Sequence, residues 1–288
     1  MRVVLSYLWW PLLMAGAIAI NAYGMAGEQP LLWLNVSYFG LAGAIFLLER
    51  AMPHERSWLK DDGQFWADIG HTLISKSAVQ ILIVAPALIG FSGIASAHGA
   101  GWWPREWPLW SQIVLGLIIA EFGFYWGHRL SHEIRALWRF HAVHHSVTRL
   151  WFINTGRFHF VDTLVSVTFG LTVGLLAGVP QDIIVWISAI TAYIGLLTHC
   201  NVEMRFGPLN YLFNTPGLHR WHHSKKMEEG NSNYGENLML FDILFLSFFN
   251  PPGRPPVDIG ILEPMPATLK EQILHPFRRA RADQPEIA

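Results

Sequence analysis

Histidine is the residue that could do chemistry in this chain. Ten of its fourteen histidines fall between His128 and His223. His128 and His132 form an HxxxH pair, His141, His144 and His145 form HxxHH, and His219, His222 and His223 repeat HxxHH. His159 and His199 stand singly between them. Residues three or four apart share a helix face, so each cluster offers two or three imidazole nitrogens to one ion. Imidazole suits divalent iron, zinc and copper, and this set exceeds what one ion can hold, so together the clusters can surround two. A lone histidine in a helix is usually a surface or core residue; three clusters in one chain reverse that balance toward metal.

The single histidines are less constrained. His199 ends an apolar run, where burial without a partner is costly, so a metal or a hydrogen bond is expected there. His159, after Arg157-Phe158, is balanced between ligand and structural histidine. Metal-bound imidazoles donate their second N–H to a carboxylate or carbonyl. Glu121, Asp162, Glu203 and Asp242 are carboxylates suited to that task, with Asn201 and Asn233 as polar supports. Glu203 lies one turn beyond His199 and is its expected partner. Glu121 lies seven residues before His128 on the same helical face, inside an apolar run, and reads equally as a functional acid or a hydrogen bond to another helix. The single cysteine, Cys200, excludes an internal disulfide and reads as a small buried apolar residue rather than a ligand.

The elements that must position these residues are membrane helices. The chain of 288 residues is 52% hydrophobic and 14% charged, against about 25% charged for soluble domains. Apolar runs near the ~20 residues needed to span a bilayer occur at 4–25, 31–48, 77–97, 109–127, 161–178 and 183–200. The first is read as a retained anchor rather than a signal peptide, since no small-residue cleavage site follows it. The expectation is an all-α, integral-membrane bundle of about six spans with a histidine-rich, metal-binding cap on the cytoplasmic face. Its outer connections would be 26–30, 98–108 and 179–182, which hold only Arg105 of the 20 Lys and Arg residues. That asymmetry places both termini and every histidine cluster on the cytoplasmic side. Residues 1–108 read as N-terminal spans and linker, 109–250 as the catalytic domain and 251–288 as a cytoplasmic tail. The net charge of −1 gives no reason to expect nucleic acid.

Several chemistries are excluded. His132-Glu133 is followed by Ile134-Arg135-Ala136, so there is no HExxH zinc-protease motif, and no GxSxG or phosphate-binding glycine loop occurs. A site at the ends of apolar helices takes its substrate from the bilayer. Oxygen chemistry on an unactivated lipid C–H bond fits a redox metal pair, which zinc alone cannot supply. The rival readings are a zinc-dependent lipid hydrolase, a non-enzymatic metal-binding or transport protein, and a bis-histidine haem protein. Transport sites tend toward the bilayer midplane, whereas these histidines sit at helix ends.

The ordered set Glu121 to Arg129 (EFGFYWGHR), Trp138 to Ser146 (WRFHAVHHS), Arg157-Phe158-His159, His199-Cys200-Asn201, Thr215 to His223 (TPGLHRWHH), Asn233-Tyr234-Gly235 and Phe241-Asp242 resembles the fatty acid hydroxylase/sterol desaturase superfamily. The resemblance covers about half the chain. It implies two iron ions, O2 as co-substrate, a lipid substrate and a separate electron-transfer protein as donor, with hydroxylation modestly favoured over desaturation. Phe160 stands where many members have proline, and Asp162 where glutamate is usual.

Overall fold

The computed structural model describes residues 2–79, 81 and 103–278, and among these there is no β-strand, only isolated bridges. Two long helices open the chain, α1 (Arg2–Met25) and α2 (Pro30–Ala51). A short helix α3 (Phe65–Gly70) runs on as a π-helical stretch over His71–Lys76 and a last turn at Ser77–Val79. Helix α4 (Leu109–Glu133) follows, then α5 (Arg135–His145), α6 (Phe160–Leu176) and α7 (Gln181–Thr198). Helices α8 (Pro216–His222), α9 (Met227–Gly230), α10 (Leu240–Leu244) and α11 (Leu269–Leu274) are short.

Four of these, α1, α2, α4 and α7, are long and apolar enough to cross a membrane, and α6 is a shorter apolar helix. The run expected at 77–97 lies almost wholly outside the described residues, as does the tail from 279. Only 22% of the most apolar window of α1 and 17% of that of α2 is buried inside the protein. Leu12, Leu31, Phe39, Leu47 and Trp110 instead face outward, an apolar surface suited to lipid. The inward faces of α1, α2 and α7 meet around Trp10, Met14, Leu41, Ile45, Tyr193 and Leu197. Within that core the Ser37 and Tyr193 hydroxyls bond at 2.5 Å.

The seam that matters for the histidines is α4 against α6. Gly123 sits so close to α6 that a Cβ there would lie 2.3 Å from the carbonyl oxygen of Phe169, and a Cβ on Gly170 would lie 2.2 Å from the Phe124 ring. Small residues let the two backbones approach in this way. At 25 residues, α4 is roughly 38 Å long at about 1.5 Å per residue, longer than a hydrocarbon core of about 30 Å. His128 and His132 lie in its last turns. The chain turns sharply at Ile134, which is extended (φ −100°, ψ 110°), and α5 folds back toward the bundle.

Candidate metal centre

Nine histidines converge. One group comprises His128, His132, His141, His145 and His222; the other comprises His144, His199, His219 and His223. Within each group one ring nitrogen per residue lies within 4.8 Å of all the others. Neither HxxHH motif stays together. His141 and His145 join the first group and His144 the second, whereas His219 and His223 join the second and His222 the first. The cause is helical: residues four apart lie nearly one above the other, and the intervening member is rotated off that line. The two groups abut, with the His145 and His223 rings stacked at 4.5 Å.

Outer nitrogens fix six of the nine rings. His128 Nδ1 donates to the Tyr234 carbonyl at 2.7 Å, His222 Nδ1 to the Ser232 carbonyl at 2.7 Å, and His144 Nδ1 to the Arg157 carbonyl at 3.3 Å. His141 Nδ1 meets the Asp162 carboxylate at 2.9 Å, His199 Nδ1 meets Asn154 Oδ1 at 2.9 Å, and His132 Nδ1 meets Asn231 Oδ1 at 3.1 Å. Asn154 spends its amide on the Arg149 carbonyl, so its oxygen is the atom presented to His199. A neutral imidazole that donates through Nδ1 carries a bare lone pair on Nε2.

Those lone pairs point at one another. His128 Nε2 lies 3.1 Å from His141 Nε2, although both rings have committed their proton at Nδ1. Neither can donate, so this contact is repulsive unless a cation sits between them. The Nε2 atoms of His145 and His141 are 3.0 Å apart, those of His219 and His199 2.9 Å, and those of His223 and His219 3.1 Å. Two nitrogens bound to one ion at about 2.1 Å stand about 3.0 Å apart at a right angle and about 3.4 Å apart at the tetrahedral angle. His132 Nε2 and His222 Nε2 are buried with no hydrogen-bond partner. Close-set lone pairs, orphaned inward nitrogens and fixed outer ones fit a metal centre.

Burial pushes the imidazoles of His144, His145, His219, His222 and His223 well below their ordinary range, with repulsion from neighbouring histidines a lesser cause. Burial likewise brings His199 down to about 3, with a lesser push from Lys76. These rings are neutral at physiological pH, the state that ligates metal. Phe158 stacks on His144 at 4.2 Å, closing one side to water.

The remaining expected site residues take other roles. His159 lies outside both groups: as N-cap of α6 its Nδ1 accepts the Val161 N–H, and its Nε2 donates to the Ile273 carbonyl at 3.1 Å, so both nitrogens are occupied. Glu203 is bonded to His54 at 3.0 Å and not to His199. Helix α7 stops at Thr198, and Val202 bridges Pro53, so the chain is extended where a further helical turn would have brought Glu203 back to His199. Asn201 binds the backbone of Glu55 through both side-chain atoms rather than any histidine. Glu121 is fully buried and accepts the backbone N–H groups of Glu236 (2.6 Å) and Asn237 (3.0 Å). Asp242 accepts those of Tyr234 and Gly235 and the Ser247 hydroxyl. Asn233 adopts a left-handed φ of 54° and bonds to the Phe249 backbone through both side-chain atoms. These three act on the loop that carries Tyr234, not on the rings. Asn154 and Asn231, which do touch ring nitrogens, had no spacing signal to mark them.

A sequence model of the fatty acid hydroxylase family matches residues 113–247. An ornithine lipid hydroxylase of Rhizobium tropici is 48% identical over 279 residues, covering 95% of this chain and 84% of its own length. The human alkylglycerol monooxygenase is 28% identical over 51% of this chain and 32% of its own length. A methylsterol monooxygenase of Arabidopsis thaliana is 26% identical over 48% of this chain and 54% of its own. No solved structure matches. The chain belongs to the fatty acid hydroxylase family. It is a membrane protein and a metal-binding, O2-dependent oxidoreductase that hydroxylates lipid.

Proposed function

We propose that this protein is a di-iron oxygenase that hydroxylates an ornithine-containing membrane lipid, with electrons delivered by a separate protein. The observation that carries the metal count is the division of nine histidines into two adjoining groups, each with inward-facing nitrogens. The substrate class rests on the 48% identity to the Rhizobium enzyme along almost the whole chain. His128, His132, His141, His145 and His222 would hold one ion, and His144, His199, His219 and His223 the other. His159 is left to cap α6. The sparsity of Lys and Arg in the expected outer connections supports a cytoplasmic centre with both termini on that side.

Bound iron supplies the redox chemistry that lets O2 attack an unactivated C–H bond. The protein's own groups prepare the place. Asp162, Asn154, Asn231 and the carbonyls of Arg157, Ser232 and Tyr234 hold six of the nine rings, those of His141, His199, His132, His144, His222 and His128, each in one tautomer and orientation. Glu121 and Asp242 hold the backbone that offers the Tyr234 carbonyl. The buried, neutral rings keep water and protons from competing for the inward nitrogens.

Metal analysis of the purified protein, with product analysis after addition of ornithine lipid, O2 and a reductant, tests this reading. Two irons per chain and a lipid one oxygen atom heavier are expected. Bound zinc with O2-independent cleavage of lipid would instead establish a hydrolase and overturn it.

A further inference from the structure

Two charged side chains beside the centre take no part in holding the rings. Lys76 ends the π-helical stretch, a local widening often found at functional sites. Its Nζ lies 5.3 Å from the centroid of the Phe158 ring, which stacks on His144. Glu236 follows the Tyr234-Gly235 turn, and its backbone N–H is pinned by Glu121 at 2.6 Å. Its carboxylate receives a single long hydrogen bond, 3.4 Å from the Ser166 hydroxyl on α6.

Lys76 and Glu236 feel each other's charge, each favouring the ionised form of the other against a larger opposing effect of burial. They nevertheless form no ion pair with one another, and neither makes one with any other described residue. Lys76 borders the four-histidine group through Phe158, which stacks on His144, and Glu236 follows two residues after Tyr234, whose carbonyl receives His128 of the other group. A half-buried cation and a half-buried anion, one beside each half of the centre, lack the ion-pair partners among the described residues that usually accompany charge drawn away from water.

We infer that Lys76 and Glu236 form the binding site for a zwitterionic lipid headgroup, Lys76 receiving its carboxylate and Glu236 its ammonium. An ornithine acylated on its α-amine keeps one carboxylate and one ammonium at opposite ends of a short carbon chain, a charge pair suited to a split receptor. The inference rests on the lipid-oxygenase reading, and adds to it the residues that select the headgroup.

The test is lipid binding by the metal-loaded, full-length protein without O2 or reductant, followed by tryptophan fluorescence. The probes are ornithine lipid, its methyl ester, which lacks the carboxylate charge, and its N-acetyl derivative, which lacks the ammonium. Charge-assisted hydrogen bonds of the usual strength predict that the wild type binds either blocked lipid roughly ten- to a hundredfold more weakly than the parent. Lys76→Met should lose affinity for the parent by a similar factor and no longer distinguish it from the ester. Glu236→Gln should lose the distinction between the parent and the N-acetyl lipid. A wild type indifferent to both blocks overturns the inference and needs no variant to fold. So does a Lys76→Met protein that keeps the wild-type preference for parent over ester. Full binding in the charge-swapped Lys76→Glu, Glu236→Lys double variant would mark an internal pair and also overturn it. Turnover of the parent lipid by the wild type with reductant and O2 tests the oxygenase reading separately.

Discussion

Replacing Asp162 by asparagine isolates what one carboxylate contributes to the centre. Asp162 and His141 are nearly fully buried, with side-chain exposures of 5% and 3%, and meet at 2.9 Å. His141 Nε2 lies within 3.1 Å of both His128 Nε2 and His145 Nε2, so this ring is the hub of the five-histidine group. Asparagine keeps the shape, and its oxygen can still accept from Nδ1, but the charge is gone. A hydrogen bond to a charged group contributes about 1.5–3 kcal/mol against about 0.5–1.5 for a neutral one. The difference of about 1–2 kcal/mol corresponds to roughly five- to thirtyfold weaker metal binding at that group. Asp162→Ala leaves the Nδ1–H without an acceptor and adds a further ~1–3 kcal/mol. Competition with a calibrated chelator, read as metal retained per chain, should give the order wild type, Asp162→Asn, Asp162→Ala. The four-histidine group should release its metal at the wild-type chelator concentration in all three. Equal retention in Asp162→Ala and wild type would show that His141 is not held by Asp162, or is not a ligand.

Three further outcomes are expected. His159→Ala should retain the full metal complement and lose about 1 kcal/mol of stability, the usual cost of an N-cap; loss of one ion per chain would instead make His159 a ligand. Burial lowers His71 to about 4 from the ordinary 6.5, and it is fully buried between Phe158 and Gln272. Because the unfolded chain takes up this proton first, the stabilisation is complete above about pH 6.5 and is lost as pH falls toward about 4, a change of about 3 kcal/mol. Thermal unfolding of wild type and His71→Gln across that window should show the flatter profile in the variant, and parallel profiles would refute the assignment. Gly123→Ala must push α4 away from the Phe169 backbone and should cost about 1–3 kcal/mol, with lower metal content. Gly127→Ala, where a Cβ would meet only the Phe169 side chain at 3.3 Å, should be far milder in the same melting and metal assays.

The histidine pattern was legible because helical spacing is written in the sequence; its partition was not. HxxHH says that three rings lie near one another, but which ring faces which ion depends on how α5 and α8 approach α4, and this is a tertiary fact. Glu203 shows the same limit: the four-residue spacing from His199 presumed a helix, and an extended segment bridged to Pro53 replaced it. His159 follows similarly, since α6 begins one residue later and claims the imidazole as a cap. Four of the six expected spans were readable from apolar run length, as α1, α2, α4 and α7; the run at 161–178 is the shorter helix α6, and that at 77–97 lies almost wholly outside the described residues. The carbonyls of Arg157, Ser232 and Tyr234 were invisible in principle, because a backbone oxygen has no residue type to announce it.

Three of the six outer partners, Asn231, Ser232 and Tyr234, come from one short segment, and they serve His132, His222 and His128 respectively. That segment therefore orients every member of the five-histidine group that is not on α5. Its own shape is imposed from outside. Glu121, deep in α4, takes the N–H groups just after it, Asp242 takes those of Tyr234 and Gly235, and Asn233 sits in a left-handed conformation that asparagine tolerates better than most residues. Helix α4 thus supplies both the rings His128 and His132 and, two turns earlier, the carboxylate that positions the loop braced against them. A shift of α4 along α6 would carry the rings and their braces together, so the local geometry is better protected against sliding of α4 than against any change that separates Glu121 from the loop.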